Sequence, residues 1–310
     1  MPTIDDVRAA AARIAPHVHR TPTFTATSLG ELAGVRLYVK AELFQRTGSF
    51  KVRGAFNAVL SLSGEERANG FVAMSAGNHA AALAHAAAAV GTTAVVVMPA
   101  HANPGKIAAV EAYGGEVVLV EHAALFETMT RIRDESGRTV VHPFDDDRVI
   151  AGAGTVGLEL AEDVPDVDYV IVQIGGGGLI SGVSIAMPDA TVIGVEPTDA
   201  DAMSRALAAG EPVTMAPMSV ADGLCAPFAG VRTLPIVRER VDRVVTVPDD
   251  AIVDAMRLMI QRTKLAVEPA AAAGVAALLT GAAGVPEGAT VAVIATGGNV
   301  DGPTYARLLG

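Results

Sequence analysis

Lysine is scarce in this sequence. Only Lys40, Lys51, Lys106 and Lys264 occur, within a combined lysine and arginine total of 23. A chain that uses arginine for ordinary surface charge can keep lysine for sites where only a primary amine serves. Lys51 lies in "TGSFKVRGA", residues 47–55, two places after Ser49, a good N-cap for a helix expected over 50–62. An amine in the first helical turn faces the positive end of the macrodipole, and burial would lower its pKa further. Lys51 is therefore a candidate nucleophile or base, the alternative being a solvated surface charge. The other lysines read as bland, with Lys40 in an alternating strand beside Glu42, Lys106 in a polar turn, and Lys264 ending a charged helix.

A second feature is the glycine run Gly175, Gly176, Gly177 and Gly178, which follows the apolar strand "YVIVQI" and precedes a helix. Consecutive glycines let successive N–H groups converge on an anion, and the helix N-terminus adds positive potential. A tight turn needs one or two glycines, and further ones cost conformational entropy, so the run reads as a phosphate cradle. The dinucleotide fingerprint G-x-G-x-x-G fails, because Ile180 or Ser181 falls at the third glycine. Glu196 does end the next strand, where a ribose-binding acid would lie, which keeps a nicotinamide enzyme open. The P-loop fails as well, since neither Ser nor Thr follows Lys106.

Two more strand ends run into small polar turns. "MSAGNHA" at 74–80 offers a serine hydroxyl, bare backbone and an amide at a helix start, able to bind a carboxylate, although an ordinary N-cap would look the same. "ATGGNVDG" at 295–302 offers the Thr296 hydroxyl. Ligands of open α/β sheets gather outside the carboxyl ends of strands, so the three turns predict one shared pocket. His79 reads as structural and "FDDDR" at 144–148 as a solvated loop. No His, Cys, Asp or Glu set has ligand spacing, so no metal is expected.

The elements that must position these groups alternate. Strands are expected at "VRLYVK", "GFVAMS", "TTAVVVM", "EVVLVE", "YVIVQI", "TVIGVE" and "TVAVIAT", and helices at 3–15, 50–62, 78–89, 104–113, 123–136, 152–163, 179–186, 249–261 and 269–281. Apolar strands separated by helices indicate an α/β fold with parallel sheets covered on both faces. A length of 310 residues suggests about two domains. A net charge of -11 argues against nucleic acid or an anionic membrane as partner. The single cysteine, Cys225, excludes an intrachain disulfide framework and suits a reducing cytoplasm. The N-terminus does not read as a signal peptide. Residues 76–100 lack Asp, Glu, Lys and Arg but read as helix, glycine stop and strand rather than a membrane span.

In this order, S-F-K-x-R-G-A, S-A-G-N-H, G-G-G-G-L and T-G-G-N resemble the fold type II pyridoxal phosphate enzymes, in the serine/threonine dehydratase and serine racemase branch. The resemblance covers nearly the whole chain, including "VHPFDD", "VIAGAGT", "GVEP", "VADGL" and "VEPAAAAG". It implies a two-domain, tryptophan synthase β-like fold of parallel-rich twisted sheets flanked by helices. A large cofactor-binding domain would comprise 1–52 and 145–310, and a small domain 53–144. Lys51 would carry pyridoxal 5'-phosphate and act as catalytic base, with Phe50 packed beside the ring. Asn78 would bond the ring 3'-oxygen, and Thr296 would face the pyridine nitrogen. The backbone of Gly175, Gly176, Gly177, Gly178 and Leu179 would hold the phosphate, with Gly223 and the Glu268 carboxylate nearby. Ser75, Ala76, Gly77 and Asn78 would surround the substrate.

The implied reaction is β-elimination from a hydroxy amino acid, L-threonine or L-serine, giving a 2-oxo acid and ammonia. A serine racemase or a hydroxyaspartate dehydratase is the alternative. Joint retention of Lys51, Asn78 and Thr296 speaks against a non-catalytic ligand-binding relative. The expected protein is a cytoplasmic homodimer acting on a small amino acid, without nucleic-acid or membrane partners. Several positions depart from the family pattern. Ala76 replaces the second serine of the racemase loop S-S-G-N-H. The cation motif E-P-x-x-A-x-D reads Glu196-Pro197-Thr198-Asp199-Ala200-Asp201-Ala202, its aspartate absent or displaced by one. Ala81 and Ala153 replace glutamines common in relatives, and Phe144 stands where some have a polar cofactor contact. Ending after T-G-G-N, the chain is expected to lack the regulatory domain of allosteric threonine dehydratases.

Overall fold

The β-branched runs pair into two sheets in the computed structural model, which describes residues 1–310. The strands are β1 (Thr23–Thr25), β2 (Arg36–Lys40), β3 (Phe71–Met74), β4 (Ala94–Pro99), β5 (Glu116–Val120), β6 (Thr139–Val140), β7 (Tyr169–Gln173), β8 (Thr191–Pro197), β9 (Arg243–Val247) and β10 (Thr290–Ile294). One sheet has the order β1-β2-β10-β7-β8-β9 and the other β5-β4-β3-β6. Every pairing is parallel except β1 with β2. Central parallel strands are covered on both faces, and β10 is accordingly buried at every position. The expected α/β class is observed.

Two covering helices, Asn78–Ala89 and Pro269–Leu279, are alanine-rich and buried around most of their circumference. Alanine joins the highest helix propensity to a small volume, so these helices approach their neighbours closely without losing stability. A second close approach positions the glycine run. The helices Asp147–Asp163 and Gly178–Ala186 cross where a Cβ on Gly154 would lie 2.8 Å from the Gly182 carbonyl oxygen. Larger side chains there would push the second helix, and its N-terminus, out of place. No helix is long and apolar enough to cross a membrane; the uncharged stretch at 76–100 resolves into the Asn78–Ala89 helix and β4.

Several elements escape sequence periodicity. β1 and β6 span three and two residues, and β9 is a mostly half-exposed edge strand. The helices Thr27–Ala33, Gly64–Ala68, Ala202–Ala209, Thr233–Arg240 and Gly302–Leu309 have five to eight residues, too few for a repeat to register.

Three local readings are corrected. Ser49 is not an N-cap. The helix Lys51–Leu60 begins without a side-chain cap, because the backbone of Ser49 is engaged in a bridge to Gly297 and its hydroxyl is buried without a partner. The 144–148 run is not a solvated loop. Asp146 caps the helix Asp147–Asp163 by accepting from the Arg148 N–H at 2.8 Å, so that helix starts at 147 rather than 152. Asp145 accepts from the N–H groups of Val231 (3.1 Å) and Arg232 (2.7 Å), and Phe144 is buried. Asp146 thus satisfies a backbone donor of its own helix, and Asp145 those of a segment distant in sequence. Lys40 is not bland either. It is fully buried, with its amine 2.9 Å from Glu159 and 3.2 Å from Asp163.

Candidate active site

A cavity of about 730 Å³ opens where the carboxyl ends of β3 and β4 meet those of β7 and β10. Phe50, Lys51, the Ser75–Asn78 loop, Gly175–Leu179, Gly223, Glu268 and Thr296 all line it. Three turns from distant parts of the chain therefore share one space, at the location parallel sheets reserve for ligands.

The glycine run forms a cradle of backbone donors. From Gly175 to Ile180 no N–H donates within the chain, and Ser181 is the first to do so, to the Gly177 carbonyl at 3.0 Å. Gly177 has a φ of +95°, which side-chain-bearing residues rarely adopt. A Cβ on Gly176 would lie 2.3 Å from the ring of Phe144, which closes one side of the loop. The Thr233 hydroxyl donates to the Gly176 carbonyl at 2.7 Å, and the Gly230 N–H at 3.2 Å. Both bonds hold that carbonyl and fix the peptide plane. Thr233 carries no motif signal, and only its packing against the glycines marks it; Phe144, a departure from the family pattern, owes its place to the same packing.

Lys51 occupies the first turn of its helix. Its amine donates to the Pro143 carbonyl at 2.9 Å and lies 5.2 Å from the centroid of the Phe50 ring, with no ion pair. Burial pulls its pKa down to about 8, against the opposing pull of the Glu268 charge. Burial, and then the nearby Asp222 charge, pushes the Glu268 carboxyl up to about 7. Glu268 Oε1 accepts from Asn78 Nδ2 at 2.8 Å, and Asn78 Oδ1 accepts from Asn299 Nδ2 at 2.8 Å. Asn299 Nδ2 also reaches the Thr47 carbonyl at 2.7 Å. One amide chain therefore ties the S-F-K, S-A-G-N-H and T-G-G-N stretches together. Asn299 is the last residue of the T-G-G-N motif, which marks the turn but not this residue's part in the amide chain.

Thr296 is buried at the end of β10, and its carbonyl accepts from the Phe50 N–H at 3.1 Å. His79 is structural, as expected. Its Nε2 is 2.9 Å from the Val141 carbonyl, and burial, followed by the Lys51 charge, holds its pKa down to about 3. Lys106 is not in a polar turn. It lies in the first turn of the helix Pro104–Ala112, lines the cavity and is ion-paired to Asp222. Asn103 Nδ2 meets Asp301 Oδ2 at 2.8 Å close by. These two contacts strap the four-stranded side of the molecule to the six-stranded side.

Glu196 lies outside the cavity lining. Its oxygens accept from Met203 N–H (2.7 Å), Ser204 N–H (2.9 Å) and Ser204 Oγ (2.7 Å) at the start of the helix Ala202–Ala209. A carboxylate engaged in that way is not aimed at a ribose, which removes the geometric basis for a nicotinamide site. Burial raises its pKa to about 7 despite those bonds.

A family model described as pyridoxal-phosphate dependent enzyme matches residues 14–297. The chain is 42% identical over 309 residues to a serine racemase of Oryza sativa subsp. indica, covering 96% of this chain and 91% of that one. It is 43% identical over 316 residues to a phenylserine dehydratase of Ralstonia pickettii, covering 100% and 97%. Among solved structures, a threonine deaminase from T.th. matches with a TM-score of 0.91 at 43% identity, over 97% of this chain and 99% of that one.

Proposed function

Since the chain belongs to the pyridoxal-phosphate dependent enzymes, in their dehydratase and racemase branch, we propose that it eliminates water from a β-hydroxy amino acid, L-threonine or L-serine first, releasing a 2-oxo acid and ammonia. The observation that carries this reading is one cavity holding both an amine without a carboxylate partner and a cradle of unpaired N–H groups.

The residues fit the cofactor. The unpaired N–H groups stand at the N-terminus of the helix Gly178–Ala186, which suits a phosphate. Of the two lysines in the lining, Lys106 is ion-paired to Asp222 and Lys51 has no ion pair. Lys51 would carry the cofactor, Gly175 to Leu179 its phosphate, Asn78 its ring oxygen and Thr296 its ring nitrogen, with Phe50 beside the ring. When bound, pyridoxal phosphate withdraws electrons from the substrate's α-carbon and so acidifies the α-proton.

The chain's own residues supply the rest. The Ser75 hydroxyl and the N–H groups of Ala76 and Asn78, none of which donates to the backbone elsewhere, would hold the substrate carboxylate. The space beside Gly77 is open, with nothing within 4 Å of an added Cβ. Lys51 would take the α-proton. With a pKa of about 8, about 10% of the amine is neutral at pH 7, against about 0.04% for an ordinary lysine. Removal of that proton and departure of the β-hydroxyl leave a Cα=Cβ double bond, and the released unsaturated amine hydrolyses to the 2-oxo acid and ammonia. We also propose that 53–144 forms the small domain and 1–52 with 145–310 the large one; β3 to β6 fall in the first range and the other strands in the second.

Racemisation is the second reading, favoured by the likeness to a serine racemase. It needs a second acid on the face of the α-carbon opposite Lys51, and Ala76 offers only a methyl group at the position where the racemase loop has serine. Hydroxyaspartate needs a cation for its second carboxylate, and Lys106 is already paired with Asp222. A panel of L-amino acids assayed for 2-oxo acid release tests the proposal. Release from L-serine or L-threonine is expected. Silence across every β-hydroxy amino acid, or D-serine forming faster than pyruvate, would overturn it.

A further inference from the structure

We infer that His142 donates a hydrogen bond from Nε2 to the β-hydroxyl of the substrate and stabilises that oxygen as it leaves, an inference that rests on the elimination reading above. Its Nδ1 accepts two backbone N–H groups, those of Phe144 at 3.3 Å and Asp145 at 2.8 Å. A ring nitrogen that accepts cannot carry hydrogen, so in the neutral imidazole the proton sits on Nε2. Burial favours that neutral form and outweighs the opposing pull of the Asp145 charge.

The Nε2–H has no acceptor within the chain, while the ring lines the cavity. A partly buried donor of this kind finds its partner in water or in a ligand. The ring is also held in place. It stands edge-on to Phe144, centroids 4.5 Å apart, and Phe144 is itself wedged against the glycine run. Phe228 flanks it at 6.3 Å. Of the other cations and imidazoles in the lining, His79 is committed to the Val141 carbonyl and Lys106 to Asp222.

Position relative to the reacting carbon follows from the neighbouring residue. The carbonyl of Pro143, adjacent to His142, receives the Lys51 amine at 2.9 Å. The α-carbon must sit at that amine while its proton is removed, and the β-oxygen is two bonds farther. One backbone turn therefore seats the base and presents the donor. In the elimination the Cα–H electron pair becomes the new π bond, and the Cβ–O bond breaks with its pair on oxygen. The proton taken by Lys51 and the departing hydroxide sum to one water. His142 keeps its own proton, and its bond strengthens as charge grows on the oxygen.

Two variants separate this role from a structural one. In His142→Asn the side-chain oxygen can still accept the Phe144 and Asp145 N–H groups, but the distal donor is gone. His142→Gln places an amide N–H near the former Nε2. With holoenzyme, His142→Asn should lower kcat/KM for L-serine or L-threonine by about 10²-fold. It should change elimination from β-chloro-L-alanine less than about 3-fold, because chloride leaves without a donor. His142→Gln should recover much of the hydroxyl reaction. Binding gives a readout apart from turnover. By absorbance titration the wild type should prefer α-methyl-L-serine over 2-aminoisobutyrate by about 10-fold, and His142→Asn should erase that preference. Equal slowing of both leaving groups, or no slowing of either, would overturn the inference. A wild type inactive with hydroxyl and chloro substrates alike would sink the elimination reading and this inference with it, a failure visible before any variant is made.

Discussion

Lys51 and Arg53 stand two residues apart on one helix and meet opposite surroundings. The Arg53 guanidinium, 1% exposed, is clasped by Glu42 through Nε and Nη2 (both 2.8 Å) and by Glu159 through Nη1 (2.7 Å) and Nη2 (2.9 Å). Burial works against its charge, but the two carboxylates outweigh burial and raise its pKa above the ordinary value. Lys40 joins the same cluster through Glu159 and Asp163. On the cavity side, Lys51 has one carbonyl and no ion pair, and its pKa falls. The contrast teaches where the fold withholds pairing. A fully paired buried cation is inert scaffolding, while an unpaired one is reactive because its charged form is disfavoured.

The largest expected break in this contrast is Lys51→Ala. Elimination should fall by about 10⁴-fold, measured as 2-oxo acid release, while the apoenzyme becomes more stable by about 1–2 kcal/mol after allowance for screening in the partly open cavity. The sign follows from the direction of the shift. The folded pKa of about 8 lies below the ordinary 10.5, so the cost of burying the charge is full below pH 8 and fades as pH rises toward 10.5. Urea melts of both apoproteins at pH 7 and pH 10 check it. A variant less stable than wild type at pH 7 would mean the amine is paired after all.

Arg53→Met should act in the opposite sense and lose about 3–5 kcal/mol, because Glu42 and Glu159 would stay buried without their cation. Denaturant midpoints measure this, and a loss below about 1 kcal/mol would show that water replaces the guanidinium.

The cradle offers a test of comparable kind on the ligand side. Gly177 is a poor probe, since a Cβ there would lie 2.7 Å from the Thr233 hydroxyl at a positive φ. At Gly175 a Cβ meets only ordinary contacts at 3.4 Å. Gly175→Asp should weaken cofactor binding by about 10²-fold through charge repulsion and leave the apoprotein melt nearly unchanged. Wild-type affinity in titration with pyridoxal phosphate would reduce the run to a turn.

The smallest effect sharpens the Lys51 side alone. Only the neutral amine attacks the cofactor aldehyde, so stopped-flow capture of pyridoxal phosphate by apoenzyme should speed up about 10-fold between pH 7 and pH 9 and then level off. Capture that keeps climbing past pH 10 would place the amine at an ordinary pKa.

Much of this site is legible in the sequence, and the legible parts share a property. The lone S-F-K lysine, the four glycines after an apolar strand and the small polar turns at strand ends are local signatures, written in a few consecutive residues. Backbone conformation and donor density in such stretches depend on their own side chains, above all on having none. The cofactor itself came from resemblance in the order of those motifs, not from any one of them.

What only tertiary structure decided was pairing. Lys40 looked bland because its partner Asp163 is 123 residues away, and Arg53 meets Glu159 across 106. Phe144, Thr233 and Asn299 matter because their segments pack against the glycine and amide loops, and His142 because its own turn consumes one ring nitrogen and leaves the other facing the cavity. The residue types were in the sequence all along. Whether a charge is quenched or left reactive depends on which distant groups lie within a few ångströms of it, since Coulomb and desolvation energies follow spatial distance and burial and are blind to position along the chain.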